Sequence, residues 1–252
     1  MTSAPVPFHD HFSDAASAYA CARPEYPTAL FDWIAQAAPS RARAWEAGCG
    51  SGQASRDLAR VFDAVFATDP SAAQIAQASG PDNITFAVEP GERCSLPNAS
   101  VAAVCVAQAL HWFDRGAFFA ECARVLEPGG LLAVWGYQDI EPPTHLLAAI
   151  DAFRDEIDAY WPRERTFVDS AYAEFDWPFE RIEAPAFELR ADWNLLRLLG
   201  YFSSFSAVKR YREAKGIDPV ATHADAIAAA WGEPAALQAL RWPLFLHARR
   251  KA

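Results

Sequence analysis

Glu46-Ala47-Gly48-Cys49-Gly50-Ser51-Gly52 follows a strand-like run, Arg43 to Ala47, and opens a helix expected over about residues 51–61. Three glycines on alternate positions make a loop that can adopt positive φ and let a ligand come close to the backbone. Amides at the start of a helix can then face that ligand. A dinucleotide fingerprint, G-x-G-x-x-G, requires a third glycine at position 53 or 55, and these positions hold Gln53 and Ser55. The loop is therefore a nucleotide-type cradle with a spacing of its own. Asp69 ends the next strand-like run, Ala64 to Thr68, at the place where open α/β sheets hold a ribose through a carboxylate. The alternative reading of Asp69 is turn chemistry beside Ser71, and that of Glu46 is an ordinary surface strand end.

The same alternation continues outward. Leu30, Phe31, Ile34 and Ala37 recur at helical spacing in the stretch from Tyr26 to Ala38, ahead of Pro39. Ser71 can cap a helix through Ala78. Strands are expected at Ile84 to Val88, Val101 to Ala107 and Leu131 to Trp135, with a helix from Arg115 to Leu126 ending at Pro128-Gly129-Gly130. The run Val101 to Ala107 is continuously apolar, as in a strand buried on both faces. Strand, helix, strand in this order implies an α/β class with a doubly wound, five-stranded parallel sheet. Past Glu141 the pattern becomes helical and aromatic. Helical stretches fall at 141–177, 192–215 and 223–231, and two late strands at Ile182 to Leu189 and Leu244 to Ala248. The expected organisation is a nucleotide-binding core with N-terminal cap helices over 1–140. Helical lid insertions and the two strands that complete the same domain occupy 141–252.

Composition narrows the partners. The chain is 52% hydrophobic and 21% charged, with a net charge of −10, so a polyanion meets an unfavourable overall field and nucleic acid is not the expected partner. Cys21, Cys49, Cys94, Cys105 and Cys122 are scattered, with no C-x-x-C pair and no histidine at zinc spacing, so reduced thiols and no metal are expected. Neither a signal peptide nor an apolar run of membrane-spanning length is seen, which suits a cytoplasmic protein, monomeric or homodimeric.

Several stretches together are similar to the class I S-adenosylmethionine-dependent methyltransferases. The acid-led G-x-G-x-G of Glu46 to Gly52 resembles that family's first motif. Asp69-Pro70-Ser71 resembles its Asp-x-Ser, with Gln74 where a methionine often packs on the adenine. Gly91-Glu92 through Leu96-Pro97 resembles the segment around the adenine, with glycine in place of the usual alanine. Ala107-Gln108-Ala109-Leu110-His111-Trp112-Phe113 and Arg124 to Leu132 resemble the segments after the fourth strand and into the fifth. Phe12 to Tyr19, Arg23-Pro24-Glu25-Tyr26-Pro27, and Leu199 to Ala207 look like a narrower small-molecule branch. That branch includes proteins similar to trans-aconitate methyltransferases and their fungal relatives.

The resemblance implies a Rossmann-like sheet whose last strand is antiparallel, and S-adenosyl-L-methionine as cofactor. Its contacts would be Tyr19, Arg23, Glu46, Gly48, Cys49, Gly50, Gly52, Asp69, Pro70, Ser71, Gln74, Gly91, Glu92, Ala107 and Gln108. Methyl transfer from a sulfonium is a direct displacement, so orientation is the main demand on the protein. A carboxylate acceptor needs no base; a phenol, alcohol or ammonium does, and His111 is the candidate as base or as acceptor-positioning group. His111, Trp112, Trp135 and Tyr201 are the expected pocket, set against the plainer reading of aromatics and histidine as core or wall. Arg163, Arg165, Arg197 and Arg210 are candidates for a substrate carboxylate, although most arginines on such helices are solvated. Transfer to an oxygen or nitrogen of a small molecule is the leading reading. A nicotinamide-dependent oxidoreductase and a non-catalytic cofactor-binding module are the alternatives.

Overall fold

The computed structural model describes residues 23–252, which form two compact units. The larger comprises Glu25–Pro142, Pro162–Ala191 and Ala239–Ala252 and is built on the sheet. Its parallel strands are β1 (Ala44–Ala47), β2 (Val65–Asp69), β3 (Ile84–Val88), β4 (Val101–Ala107) and β5 (Leu126–Tyr137). Further along the chain come β6 (Glu180–Arg181), β7 (Glu188–Trp193) and the long β8 (Gln238–Arg250). The order is β3-β2-β1-β4-β5-β8-β6, with β7 also on β8 and β8 antiparallel to β5. Chain direction reverses its crossover between β1 and β4, which opens a crevice at the carboxyl ends of these strands.

Helices flank the sheet: α1 (Thr28–Ala37), α2 (Gln53–Leu58), α3 (Ala72–Ile75) and α4 (Arg115–Val125). Leu30, Phe31, Ile34 and Ala35 form the buried stripe of α1. Tyr26 and Phe31 meet Trp135 edge-on, at 5.9 Å in both cases, on one face of β5. On the other face Leu132 and Val134 join Trp45, Val104, Phe118 and Cys122 in one apolar cluster. Side chains alternate across a strand, so β5 is buried on both faces, and its central residues Leu131 to Trp135 are fully enclosed.

The smaller unit includes Pro143–Trp161 and Asp192–Gln238 and is helical. Its helices are α5 (Thr144–Ile157), α7 (Leu195–Ser203), α8 (Ser206–Lys215) and α9 (Pro219–Trp231); the short α6 (Arg165–Asp169) belongs to the sheet unit. Phe153 stacks on Phe202 at 4.6 Å, and Tyr201 meets Phe205 at 4.8 Å and Trp193 at 5.4 Å. Most of the aromatics of this stretch are thus packed on one another. Several boundaries differ from expectation: β8 runs Gln238–Arg250 through Pro243 rather than Leu244 to Ala248, α2 covers only Gln53–Leu58, and α3 ends at Ile75 rather than Ala78. β5 starts at Leu126, running through Pro128-Gly129-Gly130 with Gly129 at φ +76. The expected strand from Ile182 to Leu189 is split into β6 and β7, because Pro185 cannot donate to a ladder. No described helix is long and apolar enough to cross a membrane.

Candidate active site at the carboxyl ends of the parallel strands

The glycine loop begins where β1 ends. Gly48, Gly50 and Gly52 have φ of +72, +55 and +82, in the left-handed region that side chains disfavour. Space restricts two of them as well. A Cβ on Gly48 would fall 2.6 Å from the Ala109 Cβ, and one on Gly52 would fall 2.9 Å from the Phe86 ring. At Gly50 nothing among the described residues lies nearer than the Gln74 side-chain oxygen at 3.9 Å, so they leave that face of the loop open.

Two carboxyl groups hold the loop. Asp69 Oδ2 accepts the Gly50 amide and Oδ1 the Ser71 amide, each at 2.9 Å, while Ser71 Oγ caps α3 by accepting from Gln74 N. Thr68 O accepts from the amides of both Gly48 and Cys49. Asp69 thus combines the strand-end position with the turn chemistry expected as its alternative. Glu46 is not a surface strand end. Only 1% exposed, it accepts a hydrogen bond from the equally enclosed Ser55 hydroxyl. Burial pushes its pKa up to about 8. Position 55, where a dinucleotide fingerprint would need glycine, therefore holds the partner of the loop's leading acid. Cys49 is buried, and burial raises its thiol well above the usual range.

The segments after β3 and β4 lie beside the loop. A Cβ on Gly91 would approach the Phe113 ring at 3.0 Å, and the same ring limits Gly48. Glycine in place of alanine at position 91 therefore goes with Phe113. Glu92 Oε1 accepts the Asp114 amide at 2.8 Å, tying the two segments together. Gln108, just past Ala107, has φ +53, rare for a residue with a side chain. Its Nε2 donates to Tyr137 O at 2.9 Å, and its Oε1 is buried with no partner among the described residues.

His111 lies in a short 3-10 turn, Leu110–Trp112, and its Nδ1 is 2.8 Å from the Tyr172 hydroxyl. Burial, followed by the charge of Arg165, lowers its pKa to about 4. Trp112 lies beside it, ring centroids 4.7 Å apart, and is 56% exposed. Trp135 is placed in the core beneath α1 with no exposed surface, and Tyr201 is 3% exposed in the core of the helical unit. Of the arginine candidates, Arg165 pairs with Asp169 at 2.8 Å and Arg197 lies over the Trp193 ring. Arg23 Nη2 donates to Ser204 O at 3.5 Å. Tyr19 and the segment from Phe12 lie outside the described residues. Phe113 and Tyr172 are candidate pocket aromatics in the sequence, but Ser55 as the partner of Glu46, Tyr172 as the partner of His111 and Phe113 as the ring that limits Gly48 and Gly91 are not expected from it. Phe113 closes the quoted motif Ala107 to Phe113, whereas Tyr172 is 61 residues from His111 and carries no local signal.

Residues 45–134 match the family described as "Methyltransferase domain". A Dictyostelium discoideum protein assigned as a methyltransferase is 31% identical over 219 residues, covering 85% of this chain and 83% of its own. The solved structure of a protein from Anaeromyxobacter dehalogenans, assigned as a type II methyltransferase, is 42% identical. It superposes with a TM-score of 0.84, covering 90% of this chain and 97% of that one. An uncharacterised Mycobacterium tuberculosis methyltransferase is 37% identical over 131 residues, about half of each chain (51% and 53%).

Proposed function

The chain belongs to the class I S-adenosylmethionine-dependent methyltransferases, and from that membership we propose methyl transfer to an oxygen or nitrogen of a small acceptor, a carboxylate foremost. When bound, the cofactor supplies an electrophilic methyl on sulfur; the acceptor's electron pair forms the new bond as the carbon–sulfur bond breaks, leaving S-adenosylhomocysteine. The chain's own part is to bind and align, and orientation of two reactants can supply roughly 7–11 kcal/mol.

The residues present suit that cofactor. Gln108 Oε1, a buried acceptor without a donor among the described residues, matches the α-ammonium of the methionine portion. Strain retained at φ +53 is common at ligand sites, where the surrounding structure enforces it. Gly50 leaves room against its backbone. Asp69 uses one lone pair on each oxygen for an amide, and a carboxylate has about four acceptor positions, so ribose hydroxyls can share it. Glu46 and Ser55, enclosed together, position the loop rather than touch a ligand. Pro70, Ser71, Gln74, Gly91 and Glu92 would border the adenosine.

The observation that carries the acceptor reading is His111. With a pKa near 4 it is neutral at physiological pH and too weak a base to deprotonate a phenol or ammonium efficiently. Fixed by Tyr172, it is suited to orienting an acceptor that is already ionised, beside the exposed ring of Trp112. The test has two parts. Calorimetric titration with S-adenosylhomocysteine should show binding in about the micromolar range, near −8 kcal/mol, and NADH and NADPH should show none. Screening organic acids, phenols and amines by S-adenosylhomocysteine release should then favour acids, with a rate flat above about pH 6. Turnover of phenols or amines alone, rising with pH, would overturn the carboxylate reading.

A further inference from the structure

A cavity of about 630 Å3 lies beside β8, in the range of small-molecule pockets. It occupies the gap in the sheet edge where β6 ends at Arg181 and β7 does not resume until Glu188. One wall is β8 from Leu244 to Arg249; the others include Phe175, Trp177 and Phe187. The cavity is separate from the glycine loop. With β1-β4-β5-β8 as the strand order, β8 is three strands from β1, about 14 Å at the usual spacing.

Its charge is unusual for an acidic protein. Arg181 and Arg249 both line it and sit directly opposite each other across the β6–β8 pair. Like charges so placed are destabilising. Neither guanidinium has an ion pair or hydrogen bond among the described residues, and Arg249 Nε is buried without a partner. The Arg249 guanidinium rests 5.1 Å over the Trp177 ring, which in turn stacks on His247 at 4.5 Å. His247 cannot offset the arginines, since an imidazole is neutral or cationic; burial first, and then their own charge, lowers its pKa, and its Nε2 is held 2.7 Å from Ala171 O.

We propose that this cavity is a second ligand site, for an amphipathic organic anion whose head group lies between Arg181 and Arg249 and whose apolar tail runs along β8 toward Leu244. The anion would satisfy the orphaned Nε and relieve the opposed charges, and Phe175, Trp177, Phe187 and Phe245 would cover the tail. In register, Arg249 faces Leu132, five residues back from Tyr137 at the carboxyl end of β5. The head group therefore sits roughly 17 Å down the strand from that end. This places the anionic end away from the methyl-transfer site and assigns the ligand as an effector, while its tail ends near Phe245, which packs on Tyr172.

Decanoate is the probe, with decanol and inorganic phosphate as controls, titrated calorimetrically into the intact chain with and without saturating S-adenosylhomocysteine. Decanoate should bind in both conditions, with decanol and phosphate each at least about tenfold weaker. Arg181→Gln, at an exposed position, should weaken decanoate by about tenfold, or 1.4 kcal/mol, with a melting temperature no lower than that of the unsubstituted chain. Arg249→Gln should weaken it further. Equal binding of decanol, equal binding of phosphate, loss of decanoate binding on adding S-adenosylhomocysteine, or full binding by Arg181→Gln would each overturn the proposal.

Discussion

Glu46 and His111 are two ionisable groups held neutral by the same cause, burial, from opposite directions: one carboxyl pushed up to about 8, one imidazole down to about 4. Their roles differ because their partners differ. Glu46 meets the Ser55 hydroxyl in a closed interior, whereas His111 meets Tyr172 next to an exposed indole. For His111 as an orienting group, His111→Asn should raise KM for an acid by about tenfold and leave the pH–rate profile unchanged. Loss of a general base would instead lower kcat by roughly 10²–10⁴, so steady-state kinetics across pH separates the roles. Asp69→Ala removes two hydrogen bonds from backbone amides to a charged acceptor, each worth about 1.5–3 kcal/mol. Calorimetry on that variant should show S-adenosylhomocysteine binding weakened by at least about tenfold, and wild-type affinity would refute the ribose role.

At the scale of elements, the glycine loop works because β1 and β2 run side by side and end in register, Ala47 opposite Thr68. That register lets Asp69 reach the Gly50 amide across 19 residues of sequence. The loop's glycines are not equivalent, and alanine substitutions should show it. Gly48→Ala must displace the Ala109 Cβ, 2.6 Å away, as well as adopt φ +72, so melting should drop markedly. Gly50→Ala and Gly129→Ala meet no close atom among the described residues and cost only the left-handed backbone, about 1–2 kcal/mol. Melting temperature should therefore fall similarly in these two, yet only Gly50→Ala should lose S-adenosylhomocysteine affinity. Equal affinity in both would remove Gly50 from the site. The motif and its strand–turn–helix setting were legible from spacing alone. The split of the late strand was less so: alternation from Ile182 to Leu189 favours one strand, but Pro185 interrupts the ladder, and the cavity at β8 follows from that interruption.

For the whole molecule, stability against pH carries the signature of the buried groups. Between pH 4.5 and 8 folded Glu46 holds a proton that the unfolded chain has released, so its contribution is present in acid and lost as pH rises through 8. His111 acts oppositely, its contribution being lost as pH falls from 6.5 through about 4. Glu121, lowered to about 2 chiefly by its hydrogen bond from Arg124, adds to the acid limb. The two main slopes oppose each other between 4.5 and 6.5, so thermal melting followed by circular dichroism should be nearly level there and fall toward pH 8. Glu46→Gln should flatten the alkaline fall; an unaltered fall would assign it elsewhere.

By itself the sequence determined the α/β alternation, the five parallel strands, the glycine loop and Asp69, because strand period, glycine spacing and strand-end chemistry are local properties. Tertiary structure alone decided the rest. It enclosed Glu46 with Ser55, stacked Phe113 against both Gly48 and Gly91, placed Trp135 in the core and brought Tyr172 to His111. It also set Arg181 opposite Arg249. Each of these depends on contacts between residues distant along the chain, and burial, the quantity that fixes their protonation and reach, exists only once the chain has packed.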